Sequence, residues 1–179
     1  MKNTGTEYLS TERTPGINPA FSELLPPLPD EQYASLEADI LENGCYSPLI
    51  VNEDMDIVDG YHRYAICTDH DIPFKMMVFS FEDVLEAQQW ALDTQKARRN
   101  LSTWELGQIA LKLKPALEEK GKENSGTRTD LSATLPKGDS VDTRKELAEA
   151  VGVGERTMGK IMQIDEHAPE PVKDAMDGG

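Results

Sequence analysis

The segment Gly60-Tyr61-His62-Arg63 carries groups that proteins commonly use to bind phosphate. It follows the apolar run Ile57-Val58 and leads into an apolar segment with helical spacing, so a strand should end and a helix begin at Gly60. Glycine lets an anion approach the backbone, the first N–H groups of the helix point at it, and Arg63 adds a fork of donors. A bound anion would also explain an arginine at a helix N-terminus, where cations are disfavoured. The alternative is an Arg63 that points to solvent beside a His62 without a role.

A second basic group lies in the segment Thr94–Ser102, where Lys96, Arg98 and Arg99 are close together. Arg98 or Arg99 would either fold onto the same anion or stabilise the C-terminal end of a helix, where cations are favoured. Asn100 suits a left-handed cap at such an end. The residue types alone leave both interpretations open.

An enzyme would need a positioned base near the phosphate, and the candidate carboxylates are Glu23, Glu53 and Asp59. No motif marks any of them. Asp59 also suits the cap of the helix that follows it, and Glu23 and Glu53 suit positions in contact with solvent.

The charge of the chain is strongly acidic and unevenly distributed. Its 179 residues carry a formal charge of -15, which argues against nonspecific binding of nucleic acid by the whole surface. Residues 1–93 hold 4 basic and 18 acidic side chains, whereas residues 94–114 hold five basic side chains and one acidic side chain. Contacts with a polyanion should therefore come from residues 94–114 or from the residues after them.

The composition predicts a globular protein of the cytoplasm. Hydrophobic residues make up 38% of the chain, the mean hydropathy is -0.53, and no apolar run approaches the roughly 18 residues that span a membrane. The first residues are polar and contain no apolar signal segment. Cys45 and Cys67 are too few for a disulfide framework or a zinc cluster, so both are predicted to be small buried apolar residues.

The hydrophobic pattern predicts a small α/β unit followed by helices. Its predicted elements are a helix in 26–44 with Tyr33, Leu36, Ile40 and Leu41 on one face, strands in 47–52 and 56–59, a helix in 61–70, a strand in 73–79, and a helix in 82–98 with Val84, Ala87, Trp90 and Ala91 inward. Capping-box patterns at Ser80–Asp83 and Ser102–Glu105 indicate helix starts. Pro115 would kink or interrupt the helix after Ser102.

These patterns divide the chain into five parts. Residues 1–16 are predicted to be a flexible leader, 17–100 an α+β domain, 101–120 a connecting helix, 121–141 a flexible linker rich in Gly, Ser, Thr and Asp, and 142–179 a helical tail.

The tail has the spacing of a helix-turn-helix. Ala148, Gly152, Met158 and Ile161 lie at offsets 0, 4, 10 and 13, as a small packing residue, a turn glycine and two core residues should. The second helix would begin near Gly154 and present side chains to base edges and phosphates. The predicted DNA-binding residues are Lys145, Glu155, Arg156, Thr157, Lys160 and Gln163. An ordinary pair of antiparallel helices is the alternative.

Together, "SPLIVNEDMDIVDGYHRYAICTDHDIPFKMMVF" and "TQKARRNLS" resemble the N-terminal domain of ParB-like proteins, which shares a fold with sulfiredoxin. Residues 17–114 follow the family's order of elements, and "RRNLS" is closest to its phage and plasmid branch. The resemblance implies an α+β fold with a small mixed sheet and packed helices, followed by an all-α region containing a helix-turn-helix. It also implies a site for CTP or another nucleotide with Mg²⁺, formed by Gly60, Tyr61, His62, Arg63, Gln95, Arg98, Arg99 and Asn100.

The sequence also departs from the family pattern. Tyr61 stands where sulfiredoxin has its catalytic cysteine, and Cys67 lies further along the helix, so sulfinic acid reductase activity is not expected. The segment "NPAFSELLPP" lacks the arginine that partition ParB proteins carry there, and the second element is not of the usual Glu-Asn-x-x-Arg form. Specificity for CTP therefore does not follow from these residues alone.

The sequence thus predicts a ParB-like DNA-binding protein of plasmid or phage partition or regulation, with a nucleotide-responsive first domain. Because one helix-turn-helix binds DNA weakly, we expect a homodimer on DNA, associated with the nucleoid, a plasmid or a phage, and without a membrane partner. Nucleotide hydrolysis would serve a binding switch. Two alternatives remain: a nucleotide-dependent phosphotransferase or nuclease that uses the same phosphate loop, and a non-catalytic adaptor with a vestigial anion site.

Overall fold

The structure, a computed structural model, describes residues 1–96, 101–125 and 143–168, with side chains up to residue 121 in the second range. The chain divides into two compact units, Met1–Gln95 and Lys96–Gly179. The first unit is a mixed sheet with packed helices, and the described part of the second is helical. The predicted α+β class is therefore confirmed.

A four-stranded mixed sheet forms the centre of the described first unit, with the strand order β1-β4-β2-β3. Its edge strands are β1 (Lys2–Leu9) and β3 (Ile57–Asp59), and its central strands are β4 (Lys75–Ser80) and β2 (Leu49–Val51). β2 runs parallel to β4, whereas β1 pairs antiparallel with β4 and β3 antiparallel with β2. Strands β2, β3 and β4 are the short apolar runs that the sequence predicts.

The prediction of a flexible leader over residues 1–16 is wrong, because its first part forms β1. The side chains of β1 are exposed apart from half-buried Tyr8, so the strand has no apolar face that a hydrophobic pattern can reveal. Its pairing depends on backbone groups of β4, which any residue type can supply. Gly16 also forms a parallel bridge with Asp56, which ties the end of the predicted leader to the start of β3.

Three helices pack with the sheet in the first half of this unit: α1 (Pro19–Ser22), α2 (Asp30–Asn43) and α3 (Tyr61–Asp69). α2 ends at Gly44, whose φ of 75° makes it the predicted C-terminal stop. The central core joins one residue of α2, two of α3 and the strands around them. Its members are Ile40, Leu49, Val51, Ile57, Ile66, Cys67, Phe74, Met76 and Val78.

Two residues predicted to face inward are exposed. Ile40 on α2 is buried, but its neighbour Leu41 is 53% exposed, because the apolar face is narrower than the sequence pattern indicates. The next helix, α4 (Val84–Lys96), likewise buries Ala87 and leaves Val84 45% exposed at its first turn.

The cap of α4 differs from the predicted capping box. The carboxylate of Asp83 accepts a hydrogen bond from the backbone N–H of Glu86 at 2.7 Å, so Asp83 caps the helix. The predicted box starting at Ser80 is wrong, because Ser80 is the last residue of β4 and its hydroxyl donates to Glu53 at 2.9 Å.

The described part of the second unit contains α5 (Thr103–Ser125), α6 (Thr143–Val151) and α7 (Glu155–His167). The predicted capping box of α5 is confirmed. The N–H of Ser102 donates to the Glu105 carboxylate at 2.7 Å, and the N–H of Glu105 donates to the Ser102 hydroxyl at 3.2 Å.

Helix α5 continues through Pro115 and ends later than predicted. Residues 121–125, assigned from the sequence to the linker 121–141, belong to this helix. The rest of the predicted linker lies outside the described residues. Within the described ranges, no helix is long and apolar enough to cross a bilayer.

Candidate functional site

Gly60 joins β3 directly to α3 in a left-handed backbone conformation. Its φ is 100°, a value that residues with a Cβ rarely adopt, and it is the N-cap residue of α3. The N–H of Tyr64 donates to the Gly60 carbonyl at 2.9 Å. The N–H groups of Tyr61, His62 and Arg63 precede this first intrahelical bond, so they form the positive end of the helix. The predicted strand–glycine–helix arrangement is confirmed, and its role in phosphate binding stays a prediction.

The side chain of Arg63 lies across Gly60. A Cβ built on Gly60 would lie 2.7 Å from Nη2 and 3.1 Å from Nε of Arg63, and 3.2 Å from Cγ of Leu49. Any other residue at position 60 would therefore displace the guanidinium. Glycine serves both the backbone conformation and the close approach of the arginine.

Asp59 holds this arginine in place. Its Oδ2 accepts a hydrogen bond from Arg63 Nη2 at 3.1 Å, and its Oδ1 accepts one from Gln95 Nε2 at 2.8 Å. The side chains of Arg63 and Asp59 are only 17% and 10% exposed, so solvent screens the ion pair weakly. The N-cap residue of α3 is Gly60, so Asp59 does not occupy the cap position that the alternative assigns to it. The carboxylate of Asp59 thus compensates for the unfavourable interaction between the charge of Arg63 and the positive end of α3.

The second predicted phosphate element is described only at Gln95. This residue lies near the end of α4, is 9% exposed, and contacts the loop through Asp59. Arg98, Arg99 and Asn100 lie outside the described residues, so their contribution stays a prediction.

Aromatic rings flank the loop. The ring centroid of His62 lies 6.0 Å from that of Tyr33 and 6.3 Å from that of Tyr61, both in edge-to-face geometry. Burial, and then the carboxylates of Asp69 and Glu37, raise the pKa of Tyr33. His62 is therefore packed against two tyrosines, and Tyr61 remains 37% exposed beside the first N–H groups of α3.

Each of the three candidate catalytic carboxylates has a structural contact or position among the described residues. Asp59 is engaged by Arg63, Glu53 accepts from Ser80, and Glu23 is the C-cap residue of α1. In residues 1–96, 101–125 and 143–168, no three His, Cys, Asp or Glu side chains come together to hold a metal ion.

The cysteines have the surroundings of structural residues. Cys67 is 1% exposed, and burial, then the neighbouring Cys45, raises the pKa of its thiol to about 12. At neutral pH it is therefore a protonated core residue and not a nucleophile. Cys45 is only half-buried, so the prediction of full burial holds for Cys67 alone.

Helices α6 and α7 pack through the residues that the spacing pattern selects. Ala148, Met158 and Ile161 are buried, and the turn between the helices contains Gly152 in a left-handed conformation with φ 76°. Gly154 is the N-cap residue of α7, where the sequence places the start of the second helix. Two packed helices joined by a short turn are therefore present, and the helix-turn-helix motif and its binding to DNA stay predictions.

Most of the predicted DNA-binding side chains are on the surface of this helix pair. Thr157 is half-buried, and the exposed ones are Lys145, Glu155, Arg156, Lys160 and Gln163. Sequence reasoning missed Arg144, whose Nη2 lies 3.9 Å from Glu155 Oε2 and whose side chain covers Gly159. Arg144 lies at the start of α6 as a second cation beside Lys145, and this position could have identified it as a candidate from the sequence.

The same reasoning missed the pair of Asp59 and Arg63. Their spacing of four residues is common in helical ion pairs, but here only Arg63 lies in the helix and Gly60 turns the chain between them. The contact from Gln95 crosses from α4 and has no sequence indication.

Comparison with known proteins detects similarity only at the level of structure. No family model and no curated protein matches the chain. One crystal form of a pNOB8-like ParB N-domain matches with a TM-score of 0.60 and 19% identity, over 88% of this chain and 68% of that one. A second structure of a pNOB8-like ParB N-domain matches with a TM-score of 0.59 and 20% identity, over 89% of this chain and 64% of that one.

A third structure, a C-terminally truncated chromosome-partitioning protein ParB from Caulobacter crescentus complexed with CTP-gamma-S, matches with a TM-score of 0.42 and 18% identity. The match covers 98% of this chain and 86% of that one, and a TM-score of 0.42 does not establish a shared fold. The two higher-scoring structures show that the chain has a ParB-like N-domain fold, as the sequence resemblance predicts.

Proposed function

We propose that this chain is a ParB-like partition or regulatory protein whose first unit binds nucleotide phosphates and whose second unit binds DNA. The observation that carries the proposal is the left-handed Gly60 at the N-terminus of α3, with Arg63 folded across it. The ParB-like N-domain fold supports the link to DNA partition.

The donors around Gly60 have the chemistry of a phosphate site. Backbone N–H groups at a helix N-terminus and a guanidinium fork both favour oxyanions, and here they lie at one turn of chain. Arg63 is one of 4 basic residues among residues 1–93, which also hold 18 acidic residues. The net negative charge of this unit therefore repels anions, and binding of a polyanion has to depend on these local donors.

The ligand that the sequence resemblance implies is CTP or another nucleotide with Mg²⁺. The contacts around Gly60 and Arg63 argue for the phosphate groups, and a panel of nucleotides has to decide the base. Mg²⁺ commonly binds through nucleotide phosphates and few protein carboxylates, so a nucleotide would carry the ion into the site without a preformed metal cluster.

The exposed side chains of α6 and α7 support DNA binding by the second unit. Arg156 and Lys160 lie on α7 beside polar Gln163, with Lys145 on α6, a set that suits phosphate and base-edge contacts. Acidic Glu155 lies among them, which keeps the affinity of one copy low. We therefore propose a homodimer that binds two half-sites on plasmid, phage or nucleoid DNA in the cytoplasm.

The proposed phosphate site is tested by thermal shift of the full chain with CTP, ATP, ADP, GTP and pyrophosphate. We expect at least one nucleotide to raise the melting temperature of the wild type, and Arg63→Ala to abolish the increase. Arg13→Ala is the matched control, because Arg13 is an exposed arginine of the same unit and its removal changes the net charge equally.

An increase that survives in Arg63→Ala, or that disappears equally in Arg13→Ala, would contradict the assignment of the site. A wild type that none of the five ligands stabilises would favour the adaptor alternative.

A further inference from the structure

We propose that Asp59 is an internal counter-anion that a bound phosphate displaces from Arg63, so that this carboxylate sets the anion affinity of the Gly60 loop. The inference rests on the proposed phosphate-binding function of the same loop. It assigns to Asp59 a regulatory role in binding and no part in catalysis.

The guanidinium of Arg63 already has an anionic partner in this structure. Arg63 Nη2 donates to Asp59 Oδ2 at 3.1 Å, and the same guanidinium lies across Gly60, where a Cβ would be 2.7 Å from Nη2. A phosphate that approaches the backbone at Gly60 therefore meets a cation whose charge Asp59 has neutralised. To gain the arginine, the phosphate has to take the place of the carboxylate.

The ion pair of Arg63 and Asp59 is shielded from water. The side chains of Arg63 and Asp59 are 17% and 10% exposed, so their attraction is stronger than that of a solvated surface pair. A phosphate and the Asp59 carboxylate carry like charges and would both contact Arg63 at close range. Their repulsion lowers the affinity of the loop for any anion.

A second residue, Gln95, holds Asp59 in position. Its second oxygen accepts from Gln95 Nε2 at 2.8 Å, and Gln95 is 9% exposed on α4. The carboxylate therefore contacts both Arg63 and Gln95, so it does not turn freely away when an anion arrives. A ligand with several phosphates can offset the displacement through further contacts, whereas one inorganic phosphate has few.

The test measures pyrophosphate binding to the full chain by isothermal titration calorimetry. Asp59→Asn keeps the size of the side chain and an oxygen that accepts hydrogen bonds, but it removes the charge. We expect it to bind pyrophosphate about tenfold more tightly than the wild type, since one charge pair no longer competes. The matched control is Asp54→Asn, an exposed residue before β3 that undergoes the same change of charge; it should bind like the wild type.

A double-variant cycle shows whether the gain passes through Arg63. In the Arg63→Ala background, the additional change Asp59→Asn should give no gain in affinity. The inference is overturned if folded Asp59→Asn binds no more tightly than the wild type, if Asp54→Asn gains equally, or if the gain persists without Arg63. When the wild type binds pyrophosphate through Arg63 but Asp59→Asn shows no gain, this inference fails and the proposed function stands. When neither protein binds pyrophosphate or any nucleotide, both fail.

A measurement on the wild type keeps the inference testable if Asp59→Asn does not fold. The side-chain Nε–H resonance of Arg63, assigned by its loss in Arg63→Lys, reports the surroundings of the guanidinium. Saturation with pyrophosphate should shift this resonance, because the guanidinium exchanges a carboxylate for a phosphate. An unchanged resonance at saturation would overturn the displacement.

Discussion

Two ion pairs at helix N-termini distinguish the candidate phosphate loop from the candidate DNA-binding helices. In the loop, Arg63 Nη2 lies 3.1 Å from Asp59 Oδ2, and the two side chains are 17% and 10% exposed. On the helix pair, Arg144 Nη2 lies 3.9 Å from Glu155 Oε2, and each side chain is 49% exposed. Screening by water makes the second pair weak, so its charges remain available to a partner.

From this difference we predict two modes of anion binding in one chain. The loop has few cations in an acidic unit and holds its arginine against an internal carboxylate, so we expect binding there to require a ligand that fits. The helix pair presents exposed cations on flexible side chains, so binding there should follow ionic strength. The first mode favours selectivity, and the second favours rapid and reversible contact with a polymer.

The largest expected effect comes from Gly60→Ala, which strains the backbone conformation of the loop. We expect the free energy of unfolding of the first unit to fall by about 1–3 kcal/mol, because alanine is strained at a φ of 100° and its Cβ displaces Arg63. Phosphate binding should be lost as well. Urea unfolding and pyrophosphate titration measure the two effects.

The control for this change is Gly44→Ala. Gly44 also has a positive φ, 75°, but a Cβ there would meet nothing within 4 Å. Gly44→Ala should also cost about 1–3 kcal/mol, because φ 75° with ψ 173° is a conformation nearly restricted to glycine, but it should leave phosphate binding intact. Equal losses of binding in the two variants would mean that general destabilisation, and not the Arg63 contact, explains the effect.

The corresponding change in the second unit is Gly107→Ala, which disturbs the close packing of two helices and does not strain the backbone conformation. A Cβ on Gly107 would lie 2.7 Å from Cγ2 of Ile161, so α5 and α7 have to move apart. We expect about 1–2 kcal/mol of lost stability and weaker DNA binding, because Ile161 holds α7. The measurements are thermal unfolding and a DNA titration.

Gly154→Ala is the matched control for Gly107→Ala, since the nearest atom to its Cβ would be Thr157 Oγ1 at 3.9 Å. Its stability should stay near that of the wild type. A Gly107→Ala protein as stable as this control would show that α5 and α7 tolerate separation.

A smaller effect is expected when exposed cations of α7 are removed. Lys160→Ala and Arg156→Ala should each weaken DNA binding about three- to tenfold and lower the slope of log K against log salt by about 1. Fluorescence anisotropy over a range of salt concentrations measures both. Lys75→Ala, an exposed lysine in β4, is the control. Unchanged salt slopes would contradict the assignment of α7 as the DNA-binding helix.

The smallest effect at neutral pH concerns Cys67 in the first unit, because its thiol is protonated at this pH in both the folded and the unfolded chain. Folding raises the pKa of this thiol from 9.0 to about 12, mainly through burial. The unfolded chain therefore loses the proton first as pH rises, so this contribution to stability is complete below pH 9 and decreases between pH 9 and 12. In Cys67→Ala the alkaline loss of stability of the first unit should be shallower, as measured by urea unfolding from pH 8 to 11. An identical pH dependence in the variant would contradict the assignment.

The sequence by itself determined most of the local structure. Apolar runs predicted β2, β3 and β4 because buried strands need continuous apolar side chains, and Ser102 with Glu105 predicted the start of α5 because capping acts within one turn. The turn glycine and core spacing of α6 and α7 were equally readable. The ParB-like fold was predicted from the resemblance of two segments, Ser47–Phe79 and Thr94–Ser102, to ParB-like N-terminal domains, together with the order of the elements.

Only the tertiary structure decided the partners that act over long separations. β1 was missed because an exposed edge strand has no apolar pattern and depends on the backbone of β4. Leu41 and Val84 were placed inward because spacing gives the direction of a helix face but not its width. The pairing of Asp59 with both Arg63 and Gln95 depends on the turn at Gly60 and on the packing of α4. Sequence therefore identified the arginine, and folding decided which carboxylate neutralises it.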